Sequence, residues 1–441
     1  MAQSIINAKL MADVALEFNI GADLLSKANR SIDKYLGAEK KSGDTVWVPI
    51  TDSGEVFRDM NLSTENLEID RDEVPVTVRP LDTAATVSQD EITLSINNPE
   101  IMSKRVANLA DTANHDVYET LVGGAQAFVA DVGTATGVEK NEIIREAAFD
   151  AQANTEASKF SGDTFGVTHP FTWNRINAVL TANFGANDKR GNDLYRNELG
   201  DFMGFNWSKA SQSPRVLASD SAIPSALGTT LVSGAAFAGT GPTVGMYGEA
   251  LLASGGTIST TSKKTGPHTS QPFTIAGVYN VDALGHNTGV LKTFQLQCWV
   301  SKVTGTSTYT QSAWYWAVPP IFEYGQGRLN SFVTGVTDTS GATAEVATPE
   351  ASAVLTAGKT YMAPAVIYKK DDLLVAVKGL EKFYGCDSFT IPTSYREKGI
   401  LPLRGTAWTD PIKGATLFRV DVLMGSAMYT GLSASSIWLP M

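Results

Sequence analysis

The stretch Asn97-Asn98-Pro99-Glu100 through Gly123-Gly124 constrains the fold more than any other. Asn97 and Asn98 can accept hydrogen bonds from the free N–H groups of a helix start. Pro99 suits the first helical position, and Glu100 faces the positive end of the dipole. Met102, Val106, Leu109, Ala113, Val117 and Leu121 then recur at spacings of three and four, the pattern of one buried stripe. Lys104, Arg105, Asp111, Asp116 and Glu119 fall on the other face, and the glycine pair ends the run. The spacing predicts a rod of about 35–40 Å, longer than the average globular helix. It is a scaffold element rather than a catalytic motif.

A chain of 441 residues exceeds what one core can hold, so two or three domains are expected. Charge is sparse and Gly frequent, which suits a β-containing, loop-rich protein. With 35 basic against 46 acidic residues the net charge is −11, which argues against clamping of nucleic acid by the chain as a whole. Cys298 and Cys386 are the only cysteines, too few for a metal site, and they point to a reducing compartment. The first eighteen residues lack a basic segment followed by an unbroken apolar run, so no signal peptide is read there, and no window reaches the length of a membrane span. The Asn-x-Ser triplets at Asn29, Asn61 and Asn206 are read as chance matches in a cytosolic product.

In chain order, Ile6, Leu10, Val14 and Phe18 fall four apart, a narrow apolar stripe on an N-terminal helix, with Asp13 and Glu17 one turn apart on another face. Such an arm buries little alone and is expected to dock elsewhere. Thr45–Ile50 and Val74–Arg79 then read as strands, with Pro75 suggesting an edge. Between and beside them lie Asp52, Glu55, Arg58, Asp59, Glu65, Asp70, Arg71 and Asp72. Two strands with a charged tip have no core of their own, so this is either a solvated hairpin or one laid across a neighbouring subunit. After the long helix, 139–157 and 170–183 read as two further helices. From 229 to about 346 the chain turns rich in Thr, Ser, Gly and aromatics, the pattern of an inserted antiparallel β-module. A helix and strand mixture resumes past Ala353 and finishes with strand-like Ala415–Val422.

Motifs for chemistry are missing. Ala357-Gly358-Lys359-Thr360 has Ala353 where a phosphate loop needs its leading Gly, and Gly239–Gly245 misses the dinucleotide spacing. His115, His169, His268 and His286 show no metal-ligand spacing, His115 being read as a surface or boundary residue, and no nucleophile elbow occurs. No catalytic, cofactor-binding or metal residue is expected, and the chain is not read as an enzyme.

The layout as a whole resembles the major capsid proteins of tailed double-stranded DNA phages, with the HK-ninety-seven fold, and within them the P-twenty-two type of podovirus coat protein that carries an inserted domain. The residues that carry the likeness are Thr45-Val46-Trp47-Val48-Pro49, Tyr195-Arg196-Asn197 followed by Gly204-Phe205 and Ser213-Pro214, and Pro272–Val278. The resemblance implies an α+β fold: N-arm 1–41, extended β-hairpin loop 42–90, peripheral domain with spine helix 91–160, axial domain 161–221, inserted β-barrel domain 222–346, and a return to axial and peripheral strands over 347–441. It also implies the role: a virion shell of pentamers and hexamers, made in the host bacterial cytoplasm, enclosing double-stranded DNA without reading its sequence. A scaffolding protein would act during assembly, a portal protein would sit at one vertex, and no membrane or cofactor would take part.

By position, the resemblance assigns scaffold docking to Asp13 with Glu17, and intersubunit contact to Arg58, Asp59, Asp70, Arg71 and Asp72 of the extended loop. The lattice contact of the insertion falls on Met246, Tyr247 and Glu249. Glu249 is the one charge between Gly241 and Ala253, so apolar contact through Met246 and Tyr247 is expected there rather than salt bridges. No lysine lies between Lys41 and Lys104, so the lysine–asparagine cross-link of some relatives cannot start from this loop. The competing reading is a carbohydrate-binding or adhesin-like module, with Trp299, Trp314 and Trp316 as its platform, although those aromatics also suit a core.

Overall fold

The computed structural model describes residues 16–18, 21–32, 43–51, 71–88, 98–132, 136–158, 162–181, 201–202, 205–209, 216–217, 257–258, 265–281, 287–303, 305–306, 308–311, 315–318, 322–323, 331–333, 351–356, 359–361, 364–380, 387–390, 402–410, 415–429 and 431–440. The fold is α+β, with sheets dominant and three long helices: α1 (Asn98–Gly124), α2 (Val138–Ala157) and α3 (Pro170–Thr181). The chain divides into two compact units. One comprises residues 1–46, 76–117 and 374–426; the other comprises 47–75, 118–373 and 427–441.

The first unit is organised on the strand Ala415–Met428, whose fourteen residues make it the longest strand among the described residues. Arg79–Ser88 pairs antiparallel along it, Arg404–Asp410 pairs along its other edge, and Asp387–Thr390 follows. The register places Asp421 opposite both Arg404 and Asp82. Like charges directly opposite are unfavourable, and two arginines offset them. Arg404 donates two hydrogen bonds to Asp421, at 2.8 and 2.7 Å, while Arg419 Nε lies 3.1 Å from Asp421 and 3.5 Å from Asp82. Asp421 and Arg404 are buried.

In the same unit the apolar stripe of α1 is inward where expected, at Val106, Leu109, Ala113 and Val117. The arm packs against it. Gly21 approaches so closely that a Cβ there would meet the Ala110 methyl at 2.8 Å. Asn114 of α1 holds the arm from both sides, accepting from Leu24 N–H and donating to the Gly21 carbonyl. The single turn Asp23–Ser26 buries Leu24 and Leu25, and Val375 N–H donates to the Asn29 carbonyl. Phe18, placed by the sequence on a stripe awaiting a partner, is fully buried within its own chain, although its neighbour Leu16 stays exposed. Ile6, Leu10 and Val14 lie outside the described residues.

The second unit holds a mixed six-stranded sheet in the order Gln126–Val129, Ala434–Trp438, Ala365–Lys369, Thr164–Thr168, Phe205–Lys209, Asp201–Phe202. Helices α2 and α3 form one core with it: Ile144, Ala147 and Ala151 of α2 and Trp173, Ile176 and Val179 of α3 meet Ile367, Ile437 and Trp207. The small residues of α2 let it lie close to the strands. Gly166 does the same beneath Trp207, its cross-strand partner, since a Cβ there would run into the indole.

Residues 257–353 fold into two five-stranded sheets. Gly266–Thr269, Leu296–Lys302, Tyr309–Gln311, Thr257–Ile258 and Tyr315–Trp316 make the first. Asn287–Phe294, Phe273–Val281, Ser331–Val333, Phe322–Glu323 and Ala351–Ala353 make the second. The chain crosses from sheet to sheet at Ser270–Pro272, at Gln295 alone, and again between Trp316 and Phe322. The corners clasp: Ser270 N–H donates to the Leu296 carbonyl, and Leu296 N–H donates to Ser270 Oγ.

The Asp421 cluster yields the first test. Asp421→Ala leaves the buried Arg404 guanidinium uncompensated and should cost about 3–5 kcal/mol. Replacing both partners, Arg404→Met with Asp421→Leu, should recover most of that loss in a chemical-denaturation midpoint, because no buried charge is then left unpaired.

Candidate assembly surfaces and the buried polar seam

The residues singled out for assembly are largely beyond what the structure describes. Asp13, Arg58, Asp59, Asp70, Met246, Tyr247 and Glu249 lie outside the described residues, as does Trp314 of the competing reading. Arg71 and Asp72 open the strand Arg71–Thr77, and Glu17 is half-buried beside Phe18.

What the structure does show is the ribbon that would carry the charged tip. Among the described residues Thr45–Thr51 and Arg71–Thr77 pair with each other alone, and Thr45 and Thr77 hydroxyls meet at 3.0 Å. Alternation puts Val46, Val48, Val74 and Val76 inward and leaves Trp47 and Pro49 exposed, Trp47 at 53 %. The Tyr429 hydroxyl donates to the Pro49 carbonyl. Phe149, Phe171 and Trp408 are the other exposed aromatics among the described residues; none belongs to the 257–353 module, where Trp299 is half-buried.

Polar groups that periodicity left outward are buried in the second half of α1, and one of them, Glu119, meets this module. Asp116 and Glu119, assigned to an outward face, are buried, as is His115. The reason is that every residue of α1 from Val117 to Gly123 is buried, so the helix has no wet side there. The Glu119 carbonyl accepts from Gln297 Nε2 at 2.8 Å and from Thr269 Oγ1 at 3.1 Å, both from the first sheet of the module. Burial raises the Glu119 carboxyl from its ordinary 4.5 to about 7, against the opposing pull of hydrogen bonds from Thr269. One strand later, the Gln126 amide donates to the Leu291 carbonyl and accepts from Thr293 N–H, while Ala127 N–H donates to Thr293 Oγ1. Asn280 Nδ2 donates to Asn154 of α2 at 2.6 Å.

Two charges complete the seam. Asp372 is fully buried and accepts from Gly431 N–H, Ser433 N–H and Ser433 Oγ, which fixes the turn leading into Ala434–Trp438. Lys292 stands over the Phe294 ring at 5.8 Å; burial lowers its ammonium from 10.5 to about 8, and attraction to Asp372 works against that shift. Among the described residues no three His, Cys, Asp or Glu side chains are placed to hold a metal ion, and no helix is long and apolar enough to cross a membrane.

No family model matches the chain, and no curated protein does. Solved structures do. One from Mycobacterium phage Che8 is 8% identical with a TM-score of 0.40, over 94% of this chain and 89% of that one. The capsid structure of the cyanophage P-SCSP1u is 9% identical with a TM-score of 0.40, over 91% and 84%. The capsid of an empty GTA particle is 9% identical with a TM-score of 0.39, over 95% and 96%.

The buried carboxyl makes stability depend on pH in a defined direction. Between 4.5 and about 7 the folded chain keeps a proton on Glu119 that the unfolded chain has released. Stability from this group is therefore complete below 4.5 and is lost as pH rises through about 7. Glu119→Gln should flatten that slope in urea midpoints taken across the interval; an unchanged slope would show that Glu119 does not titrate there.

Proposed function

We propose that the chain is a major capsid protein, whose copies assemble as pentamers and hexamers into an icosahedral shell around packaged phage DNA. The observation that carries this reading is the order of the elements. A paired ribbon without further strands precedes a 27-residue helix, a helix-backed mixed sheet follows, a two-sheet module interrupts the chain, and the last strands return to pair with early ones. That is the order the sequence resemblance implies for the HK-ninety-seven fold with an inserted domain. Parallel pairing of Ala434–Trp438 with Gln126–Val129 supports such a return.

In this reading the ribbon is the base of an extended loop whose charged tip, with Arg58, Asp59, Asp70, Arg71 and Asp72, crosses a neighbouring subunit. Exposed Trp47 supplies apolar surface of the kind that sister copies cover. Helix α1 is the spine. Asp13 and Glu17 receive a scaffolding protein, a portal occupies one vertex, and the product resides in the virion after synthesis in the host cytoplasm. The role is structural rather than catalytic. The glycan-binding reading gains no specific support, since the exposed aromatics among the described residues lie outside the module.

Electron microscopy and sedimentation of the purified product, alone and with its scaffolding partner, test the proposal directly. Large closed particles that dissociate to single subunits on a denaturing gel are expected; a protein that stays a small monomer throughout would sink it. Within that reading, Met246→Ser with Tyr247→Ser should lower the yield of closed shells while leaving subunit solubility intact, measured by gradient sedimentation, and an undiminished yield would remove these residues from the lattice contact.

A further inference from the structure

The corner at Gln295 encloses a small, partly closed cavity lined by Gly123 and Gly124 at the end of α1, by Asn280 and Lys292 of the second sheet, by Gln295 itself and by Gly431. Its space suits one water-sized guest. Gln295 is 2 % exposed, yet neither its Oε1 nor its Nε2 has a hydrogen-bond partner among the described residues. An amide left so costs free energy at both atoms, and this amide sits where the chain steps from one sheet to the other with no residue to spare.

We propose that this cavity is a hydrogen-bonding site for one structural water, shared between the Gln295 amide and the Lys292 ammonium, which locks the corner of the module to the end of α1. Water, rather than an anion, fits the charges around the cavity. Lys292 already has Asp372 as its counter-charge, no other titratable side chain lines the cavity, and the carbonyl end of a helix repels negative charge. Water can accept from Lys292 and donate to Gln295 Oε1, which neither residue can arrange alone. The site stands independently of the shell-forming role.

Three measurements decide the matter. Gln295→Leu keeps the volume and removes both amide atoms. A dry cavity predicts equal or higher stability for this variant, whereas a bridging water predicts a lower melting midpoint. The variant should also lower the pH at which the Lys292 peptide becomes reactive to an amine-labelling reagent, read by mass spectrometry, because the ammonium loses a solvating partner. Combined with Lys292→Met, the two losses should fall short of their sum, as expected for one shared guest. Should the variants fail to fold, a map of the unmodified protein at water-resolving detail, with bromide replacing chloride, answers alone. A neutral solvent peak within reach of both side chains supports the site. An empty cavity, a bromide peak, or strictly additive losses would overturn it.

Discussion

The structure of the second unit depends on closing the last turns of α1 on every side. A helix that long normally keeps one wet face, and here Val117 through Gly123 keep none. The module supplies the missing partners: Gln297 and Thr269 converge on the Glu119 carbonyl, and Gln126 and Ala127, just beyond the helix, bind the strand Asn287–Phe294. These bonds are side chain to backbone, so they specify position more tightly than apolar packing would. They also explain why ionisable groups sit so deep. Glu119 is carried inward by its place in the helix, and its carboxyl responds by holding its proton far longer than usual.

The two units solve the problem of buried charge differently. In the first, Asp421 is neutralised within a sheet by a bidentate arginine directly across the ladder, with a second arginine bridging outward to Asp82. In the second, Asp372 is satisfied by two backbone amides and a hydroxyl from one turn, which leaves Lys292 as a longer-range counter-charge. A buried ion pair contributes little net stability against an apolar substitute, but removing one partner is costly. Both arrangements therefore act chiefly as registers: strand Ala415–Met428 against its neighbours, and the final turn against the strand Ala365–Lys369.

For the proposed shell role, a subunit must be rigid where it is complete and unfinished where it meets its copies. The helix-backed sheet, with its continuous core, belongs to the first kind, as does the two-sheet module, whose corners clasp through Ser270 and Leu296. The ribbon belongs to the second, with paired strands, a valine-lined inner side and an exposed tryptophan outside. The arm changes category: Phe18, Ala22, Leu24, Leu25, Ala28 and Ile32 are covered by the chain itself.

Local pattern by itself determined the elements with strong periodicity. The rod from Asn98 to Gly124, the helices beginning at Val138 and Pro170, the ribbon strands around Trp47 and Pro75, and the β-rich stretch after residue 257 all follow from spacing, capping and β-branched runs. These are short-range effects and need no knowledge of the rest of the chain. Only the tertiary structure decided which face of α1 is dry near its end, because that depends on a module arriving from 150 residues away in sequence. The same holds for the burial of His115, Asp116 and Glu119 and for the pairing of Arg404 with Asp421. It holds too for the unsatisfied amide of Gln295 beside Lys292. Periodicity reports how many sides a helix could bury, whereas long-range packing settles how many it does.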